Sequence, residues 1–452
     1  MRRRGTILVA VLVIVALSVM ATVGLLYRAE AEVTAAVAGA RYHQAGAAAM
    51  SGLRRAMTIV QVARTEREVW YDNPELFKAQ LVATDGVNSW YYTIYAYNPI
   101  DPKILRNGVT DEASKINLNF ASEEVLLTLP NMEPELVDCL LDYRDQDEDT
   151  RPMGAEQDYY SRLPRPYLVR NGMLGTVEEL LLIKGFNAPL VYGEDYNLNG
   201  LLERNEDDAE DSFPPDNSDG LLDRGLLGMA TVWSYERNFA NDGERRVNLN
   251  APAGLGSAGL SRETREFVEL YLSEGNRFRS PADLLEMRYQ LQQDHGRTRA
   301  GTTIESGVGG EDLAEVLDRL TTEGPVLAGK VNVNTASVEV LAALPGFGQD
   351  LAERVVGDRE SMDPVAKETP AWLYTENIVS ADTFKEIAPL LTTRSYQFRV
   401  CCVAYGWPCG QFRVIEAVID LALGSPRVIY QRDLTRLGMP FAIDVEQEER
   451  AR

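Results

Sequence analysis

Residues 1–27 constrain this chain most, because they predict a segment that crosses a membrane. Three arginines and a glycine precede residues 6–27, a stretch without a charged side chain. At about 1.5 Å of rise per residue, a helix over this stretch spans a hydrocarbon core of roughly 30 Å. The arginines predict that the N-terminus stays in the cytoplasm and that the remainder of the chain lies across the membrane.

The helical pattern continues beyond the apolar stretch to about Arg64. This region is rich in alanine and free of proline, and the first proline of the chain is Pro74. A helix over residues 6–64 spans roughly 90 Å, with its first third in lipid. A cleaved secretory signal ending near residues 29–31 is the alternative. The length of the apolar run and the uninterrupted helical pattern favour a retained anchor.

A short basic leader that ends in glycine before an apolar helix resembles the N-terminus of type IV pilins and type II secretion pseudopilins. The resemblance implies that a prepilin peptidase cuts after Gly5 and leaves Thr6 at the front, where Phe or Met is commoner. The fifth mature residue is usually a glutamate that neutralises the terminal amine of the subunit ahead, but here it is Ala10. Because an unpaired buried ammonium is costly, the missing carboxylate favours a subunit at a filament tip. A plain membrane anchor is the alternative.

The composition argues against several classes of function. The 452 residues leave room for two to four domains, and the formal net charge of −23 disfavours nucleic acid and favours calcium or basic partners. Cys402 and Cys409 flank a predicted hairpin turn, and they either form a disulfide in an oxidising compartment or stay free thiols. The two histidines, His43 and His295, are not expected near a nucleophile. No catalytic residue is predicted, and the chain is not expected to be an enzyme.

An internal repeat occupies the middle of the chain. Residues 116–145 and 331–360 are identical at eleven of thirty positions with a constant offset of 215. Each copy predicts a helix that begins at Ser122 or Ser337, a tight turn after Leu-Pro, and a second helix. Residues 247–251 form a weaker echo of the opening. The middle of the chain is therefore predicted to be helical and duplicated.

The second copy resembles a helix-hairpin-helix with residues 345–348 as its hairpin. In DNA-binding proteins such a turn offers backbone N–H groups to a phosphate, and basic residues supply most of the affinity. Residues 331–360 carry five acids and two bases, whereas residues 116–145 carry seven acids and one base. These charges favour packing of helix pair on helix pair, and no nucleic-acid partner is expected.

Between the two copies, residues 195–206 fit the twelve-residue EF-hand calcium loop, with glycine at position 6. The predicted Ca²⁺ ligands are Asp195, Asn197, Asn199, the carbonyl of Leu201, Glu203 and Glu206. Residues 194–223 hold eleven acids and one base, so the loop repels itself without a cation. A disordered acidic loop is the alternative. A shorter echo predicts a second, irregular calcium site at Asp216, Asn217, Asp219 and Asp223.

Strand patterns lie on both sides of the repeat. Residues 89–97 are dense in aromatic and β-branched side chains and predict a strand. Near the C-terminus, residues 396–405, 411–423 and 427–431 predict further strands separated by turns. Strands on both sides of a helical block predict one sheet with a long insertion.

Together these features resemble the K-type minor pseudopilins of the type II secretion system (general secretion pathway protein K). The resemblance rests on the leader, on Ala10, on residues 111–119, on residues 142–145 with 154–156 and Tyr159, and on the C-terminal strands. It implies an α+β fold in which a long N-terminal transmembrane helix precedes a pilin-like antiparallel sheet. A large helical insert with duplicated helix-hairpin-helix, or SAM-like, units interrupts that sheet.

The predicted boundaries follow from this fold. They are 1–5 for the basic prepilin leader, 6–65 for the membrane and pilin helix, 66–118 for the first part of the sheet, 119–390 for the helical insert with its acidic calcium loop at 190–225, 391–440 for the rest of the sheet, and 441–452 for a charged tail.

The resemblance also implies a function. The chain is expected to complex with I- and J-type minor pseudopilins and the major pseudopilin, to sit at the pseudopilus tip, and to prime assembly for protein export across the outer membrane. It is expected to be a single-pass inner-membrane protein with its bulk in the periplasm, and calcium binding is expected of the family. The alternative is a membrane-anchored DNA receptor of the competence type, which also joins an anchor to a helix-hairpin-helix.

Overall fold

The computed structural model describes residues 4–209, 211–296 and 298–443, and of residues 4–6, 252, 253 and 257 it describes the backbone alone. Residues 1–3 of the leader and most of the predicted charged tail lie outside the described residues. The α-helices are α1 (Arg4–Val62), α2 (Arg67–Trp70), α3 (Pro74–Phe77), α4 (Glu123–Leu127), α5 (Pro134–Arg144), α6 (Gln157–Tyr160), α7 (Ala188–Tyr192), α8 (Gly225–Met229), α9 (Arg262–Ser273), α10 (Gly310–Arg319), α11 (Val338–Ala342), α12 (Gly348–Arg359), α13 (Trp372–Thr375) and α14 (Ala381–Ile387).

Most of the strands are short, and several have two residues. They are β1 (Gln80–Thr84), β2 (Ser89–Tyr95), β3 (Thr110–Asp111), β4 (Ile116–Asn117), β5 (Ala230–Thr231), β6 (Tyr235–Arg237), β7 (Val247–Asn248), β8 (Arg288–Gln290), β9 (Thr303–Glu305), β10 (Leu320–Thr321), β11 (Val326–Ala328), β12 (Val331–Asn332), β13 (Leu391–Thr392), β14 (Gln397–Trp407), β15 (Phe412–Asp420) and β16 (Arg427–Asp433).

Helix α1 has 59 residues and is about 90 Å long, as the sequence predicts. The large apolar side chains of its first half, from Ile7 to Val37, are exposed, and this part is long and apolar enough to cross a membrane. In its second half, side chains three or four residues apart are buried against the sheet, as expected for one face of a helix. They are Ala45, Ala48, Ala49, Leu53, Ala56, Ile59 and Val60.

One antiparallel sheet receives this helix. Its strand order is β1-β2-β14-β15-β16, and β3 also pairs with β14. The strands predicted near residues 89–97 and after residue 396 are thereby confirmed. The chain leaves the sheet after β3 and returns at β14, so residues 112–396 form an insertion between two paired strands. The predicted fold class, an antiparallel sheet interrupted by a helical insert, is confirmed.

The two faces of β14 have different neighbours, because successive side chains of a strand point to opposite faces. Phe398, Val400 and Cys402 are buried in the core that α1 forms with the sheet. On the opposite face, Val403 packs with Tyr95, Val414 and Leu434. Helix α1 therefore covers one face of the sheet, and the opposite face is turned toward the insert.

The insert contains three related units rather than the predicted two. Each begins with a two-residue strand that pairs in parallel with a later one: β4 with β5, β7 with β10, and β12 with β13. In each opening strand an asparagine side chain accepts the backbone N–H two residues later, at Asn117, Asn248 and Asn332. The echo at residues 247–251 therefore marks a complete unit, which packs its own core around Phe267 and Val268.

The first and third units agree in detail. Ser122 and Ser337 each accept the N–H three residues later, which confirms both predicted helix starts. Arg144 donates to the carbonyls of Leu118 and Ala121, and Arg359 donates to those of Val333 and Ala336, all at the same offset of 215. In the turns, Asn131 (φ +58°) takes the left-handed conformation of its equivalent, Gly346 (φ +82°). Asparagine tolerates this region better than most residues, which explains how the hairpin forms without glycine.

Buried ion pairs join the insert to the sheet. Arg399 on β14 donates to Glu112 at 2.7 Å and also to Glu416 on β15, and Arg432 on β16 pairs with Glu416 and with Glu178 of the insert. Glu112, Arg399 and Glu416 are all buried. Each of these linked side chains has a partner of opposite charge, and this pairing offsets the cost of removing the charges from water.

Of the two alternatives for Cys402 and Cys409, a disulfide or free thiols, the structure has free thiols. The Cys402 Sγ lies against Gly52 of α1, whereas the Cys409 Sγ folds back over Gly406. Positions 402 and 406 lie on the same strand, so about 13 Å separates the two sulfur positions along it. A disulfide needs Cα atoms within about 7 Å of each other.

Candidate calcium loop and helix-hairpin-helix

The predicted calcium loop forms a closed turn around Asp195. The Asp195 carboxylate accepts the backbone N–H groups of Asn199 (2.9 Å) and Gly200 (3.1 Å). Leu198 (φ +56°) and Gly200 (φ +73°) have left-handed backbones that let the chain curl around the carboxylate. Asp195 is only 2% exposed, and this burial raises its pKa against the opposing effect of Arg224, whose Nε lies 3.6 Å away.

The end of the loop turns back toward its beginning. Glu206 is 1% exposed and accepts the N–H of Glu203 at 3.0 Å. Burial, together with repulsion from Asp195 and Glu203, raises the pKa of Glu206 to about 7. The side-chain amides of Asn197 and Asn199 donate to Glu203 at 3.0 and 3.2 Å. The first and last positions of the loop are thus buried carboxylates that repel each other.

This donor set fits Ca²⁺, which prefers carboxylate, amide and carbonyl oxygens. The oxygens of Asp195, Glu203 and Glu206 nevertheless do not all lie within 4.8 Å of one another. Glu203, at position 9 of the loop, accepts hydrogen bonds from the side-chain amides of Asn197 and Asn199. In calcium loops, position 9 often binds through a water molecule. Calcium binding by the six predicted ligands therefore stays a prediction, and the geometry of the loop suits it.

The predicted second site is arranged differently. Asp216 accepts the backbone N–H groups of Asp208, Ala209 and Ser218. Asn217, Asp219 and Asp223 each accept the backbone N–H two residues later. Among the described residues, the three carboxylates do not form a group within 4.8 Å. Local turns therefore engage these side chains, and the structure does not gather them around a common point.

A group of acids that the sequence analysis did not single out lies in the first unit. Asp142 and Asp145, at the end of α5, meet Glu156 from the loop that follows, with one oxygen of each within 4.8 Å of the others. No motif spacing identifies this group, because Glu156 is separated from the other two by a long loop. The residues themselves belong to the segments 142–145 and 154–156 on which the resemblance rests.

The hairpin of the third unit is exposed at Gly346 and Gly348, but Gly346 lies beside an acidic side chain. A Cβ at Gly346 would lie 2.9 Å from Ile387 and 3.4 Å from the carboxyl carbon of Glu386. Just after α11, the Ala343 carbonyl contacts the hydroxyl of Thr128 from the first unit. The hairpin thus lies beside an acid and a second helix pair, which is a poor environment for a phosphate.

His295 lies closer to a hydroxyl than the sequence suggested. Its Nδ1 is 3.4 Å from Ser273 Oγ, and its Nε2 is 3.2 Å from Glu274. Ser273 already donates its hydroxyl to the Leu270 carbonyl at 2.7 Å. The hydroxyl proton therefore points away from the imidazole, so the pair does not have the geometry of an activated nucleophile.

The predicted processing site lies at the beginning of α1. Gly5 and Thr6 have helical backbones, and Ala10 is exposed one turn later. Cleavage after Gly5 stays a prediction. The exposed Ala10 leaves this part of the helix without an acidic side chain.

Comparisons with known proteins match two parts of the chain to known families. Residues 111–192 match the family described as type II secretion system (T2SS), protein K, and residues 326–392 match the helix-hairpin-helix motif. A similar solved structure is the crystal structure of the GspK-GspI-GspJ complex from the type 2 secretion system of enterotoxigenic Escherichia coli; the identity is 11%, the TM-score is 0.42, and the match covers 87% of this chain and 96% of that chain. No curated protein matches the sequence. The resemblance to the K-type minor pseudopilins is confirmed over residues 111–192.

Proposed function

We propose that this chain, whose residues 111–192 match the protein K family of type II secretion systems, is a minor pseudopilin at the tip of the pseudopilus. That family match is the observation that carries the proposal. The long helix packed on an interrupted antiparallel sheet supports it, because a pilin-like subunit needs both parts.

Two features favour the tip over a position along the filament. Ala10 offers no carboxylate to the amine of a neighbouring subunit, and an unpaired buried charge is costly. The insert at residues 112–396 projects from the sheet, and it contains more residues than the rest of the chain without α1. A subunit of this shape fits at an end, where no further subunit must stack on it. From that position it would prime assembly for protein export across the outer membrane.

The partners and location follow from the same proposal. The I- and J-type minor pseudopilins and the major pseudopilin are the proposed partners, and a prepilin peptidase is the proposed processing enzyme. The chain would be anchored in the inner membrane by the first half of α1, with its N-terminus cytoplasmic and its bulk periplasmic. The role proposed is one of assembly and not of catalysis.

We also propose that residues 195–206 bind Ca²⁺. The ion would be held by the six predicted oxygen ligands, and it would compensate the repulsion between the buried Asp195 and Glu206. Its role would be to fix the loop to the rest of the insert.

The first experiment measures the intact mass of the membrane-extracted protein after co-expression with a prepilin peptidase. The expected result is loss of residues 1–5, and a Gly5→Leu variant serves as the uncleaved control. The second asks whether I- and J-type pseudopilins co-purify with the processed chain in detergent. An intact leader beside active peptidase, with no retained pseudopilin, would contradict the proposal.

A DNA receptor is the second candidate, because residues 326–392 match the helix-hairpin-helix motif. The acids of residues 331–360 and the Glu386 carboxyl group beside Gly346 argue against it. Binding through phosphates weakens steeply with salt. The expected result is that a labelled duplex shows no mobility shift at low salt, and a salt-sensitive shift would favour the receptor.

A further inference from the structure

The carboxylate group formed by Asp142, Asp145 and Glu156 lies apart from the loop at residues 195–206. One oxygen from each side chain lies within 4.8 Å of the other two. Asp142 is completely buried, and Glu156 is only 4% exposed. Three acids are thus held close together where water gives them little screening.

Glu156 has no hydrogen-bond partner inside this group. Neither of its two carboxylate oxygens is bonded, and Oδ1 of Asp145 is also buried without a partner. Asp142 differs, because its carboxylate accepts the backbone N–H of Arg151 at 3.2 Å. A buried carboxylate without partners is costly. The Glu156 side chain, which points to the other two acids, lacks a hydrogen-bond donor or cation that would stabilise it.

The nearby cations do not balance these charges. Arg151 Nε lies 3.8 Å from Asp142, but the same guanidinium also contacts Glu123 at 3.0 Å and Asp138 at 3.6 Å. Arg144, the other arginine of this segment, donates instead to the carbonyls that close the first unit. Burial, followed by repulsion from Asp142, Asp145 and Asp147, raises the pKa of Glu156 to about 7.

We propose that Asp142, Asp145 and Glu156 bind a hard divalent cation, with Ca²⁺ as the ion that suits their chemistry. All three ligands are carboxylate oxygens, which favour Ca²⁺, Mg²⁺ or Mn²⁺ over the softer metals that prefer imidazole or thiolate. Gly154 preserves room for the site, because a Cβ at this position would collide with Oδ2 of Asp142. This site is independent of the proposed pseudopilin function and of the loop at residues 195–206.

The cation would join two parts of the first unit. Asp142 and Asp145 come from the end of α5, whereas Glu156 comes from the residue before α6. A bound ion would therefore fasten the loop of residues 146–155 to α5, which is the helix that packs in the core of the insert. Without it, repulsion among the three acids would loosen that loop.

The test counts Ca²⁺ bound to the detergent-solubilised full chain by equilibrium dialysis, after EGTA treatment and desalting. The variants are Glu156→Gln, Asp195→Ala with Glu206→Ala, and all three changes together. Glu148→Gln is the matched control, since it removes one exposed acid from the same loop. The expected loss in Glu156→Gln is one ion per chain relative to the parent and to Glu148→Gln. The Asp195→Ala with Glu206→Ala variant keeps this ion, and the triple variant loses it.

A melting experiment separates binding from a merely structural role. In EGTA, Glu156→Gln is expected to melt at or above the temperature of the parent, because it removes repulsion. In millimolar Ca²⁺ it is expected to melt below the parent, and Asp145→Asn provides a second variant if Glu156→Gln does not fold. Unchanged Ca²⁺ stoichiometry in both variants would overturn the proposal. So would the absence of any bound ion in the Asp195→Ala with Glu206→Ala variant at millimolar Ca²⁺ and Mg²⁺.

Discussion

The Thr128 hydroxyl lies between two carbonyls, that of Val125 at 2.7 Å and that of Ala343, the residue that occupies the same position 215 residues later. The contact joins the first helices of the first and third units at equivalent points. It shows that the repeat is used for packing of one helix pair against another, as the charge distribution predicted. The third unit is therefore engaged on the side where its hairpin begins.

Thr128→Val is expected to lower the stability of the insert by about 0.5–1.5 kcal/mol, because it removes the hydroxyl that lies between the Val125 and Ala343 carbonyls. Thermal unfolding of the detergent-solubilised chain measures the loss. Thr128→Ser keeps the hydroxyl and is the control, so it should melt close to the parent. Equal melting of Thr128→Val and Thr128→Ser would mean that the contact does not stabilise the packing.

Periodicity revealed the elements whose pattern is local. The long helix, β2 and the strands after residue 396 were predicted because apolar and β-branched residues repeat with the period of each element. The two Leu-Pro turns were predicted because the two copies of the repeat share eleven identities over thirty residues. The positive φ at both Asn131 and Gly346 shows that the same turn forms with asparagine in place of glycine.

The remaining features depend on contacts between distant segments. The middle unit kept only residues 247–251 of the repeat, so its pairing of β7 with β10 was not visible in the sequence. The group of Asp142, Asp145 and Glu156 has no motif spacing, because the fold and not the order of residues brings Glu156 close. The sequence left a disulfide and free thiols open at Cys402 and Cys409, because residues close in sequence can lie far apart along an extended strand.

Gly52→Ala is expected to weaken the packing of α1 on the sheet. A Cβ there would lie 2.7 Å from Cys402 Sγ and 2.8 Å from the Tyr92 ring, and such crowding costs about 1–3 kcal/mol. Gly46→Ala is the matched control on the same helix, with its nearest neighbour at 4.0 Å. That change should stabilise the helix by about 0.5–1 kcal/mol. Melting temperatures that move in the same direction for both variants would refute the packing.

Glu416→Gln is expected to destabilise the junction between sheet and insert by about 3–5 kcal/mol, because Arg399 and Arg432 lose their common partner. Burial alone would raise the pKa of Glu416, but the two arginines outweigh it and lower the pKa to about 2. The stabilisation by Glu416 is therefore complete above its ordinary pKa of 4.5 and is lost as the pH falls toward 2.

Melting between pH 7 and pH 2 tests this prediction. The difference between Glu416→Gln and the parent should be constant near neutral pH and should shrink below pH 4.5. Glu178→Gln removes the half-buried far end of the same chain of ion pairs and is the milder control. A difference that stays constant down to pH 2 would show that the charge of Glu416 does not carry the effect.

Asp195→Ala with Glu206→Ala is expected to lower the melting temperature more in calcium than in EGTA. A ligand that binds only the folded state stabilises it by about 2.7 kcal/mol at 100 times its Kd, and the double variant forfeits that gain. Without calcium the same change relieves the repulsion between two buried acids but removes the acceptors of three backbone N–H groups, so the variant should lie closer to the parent than it does in calcium. Asp208→Ala with Asp211→Ala removes two charges from the neighbouring stretch, outside both predicted calcium sites, and measures the cost that is independent of the ion. If parent and Asp195→Ala with Glu206→Ala melt equally in calcium, residues 195–206 do not bind it.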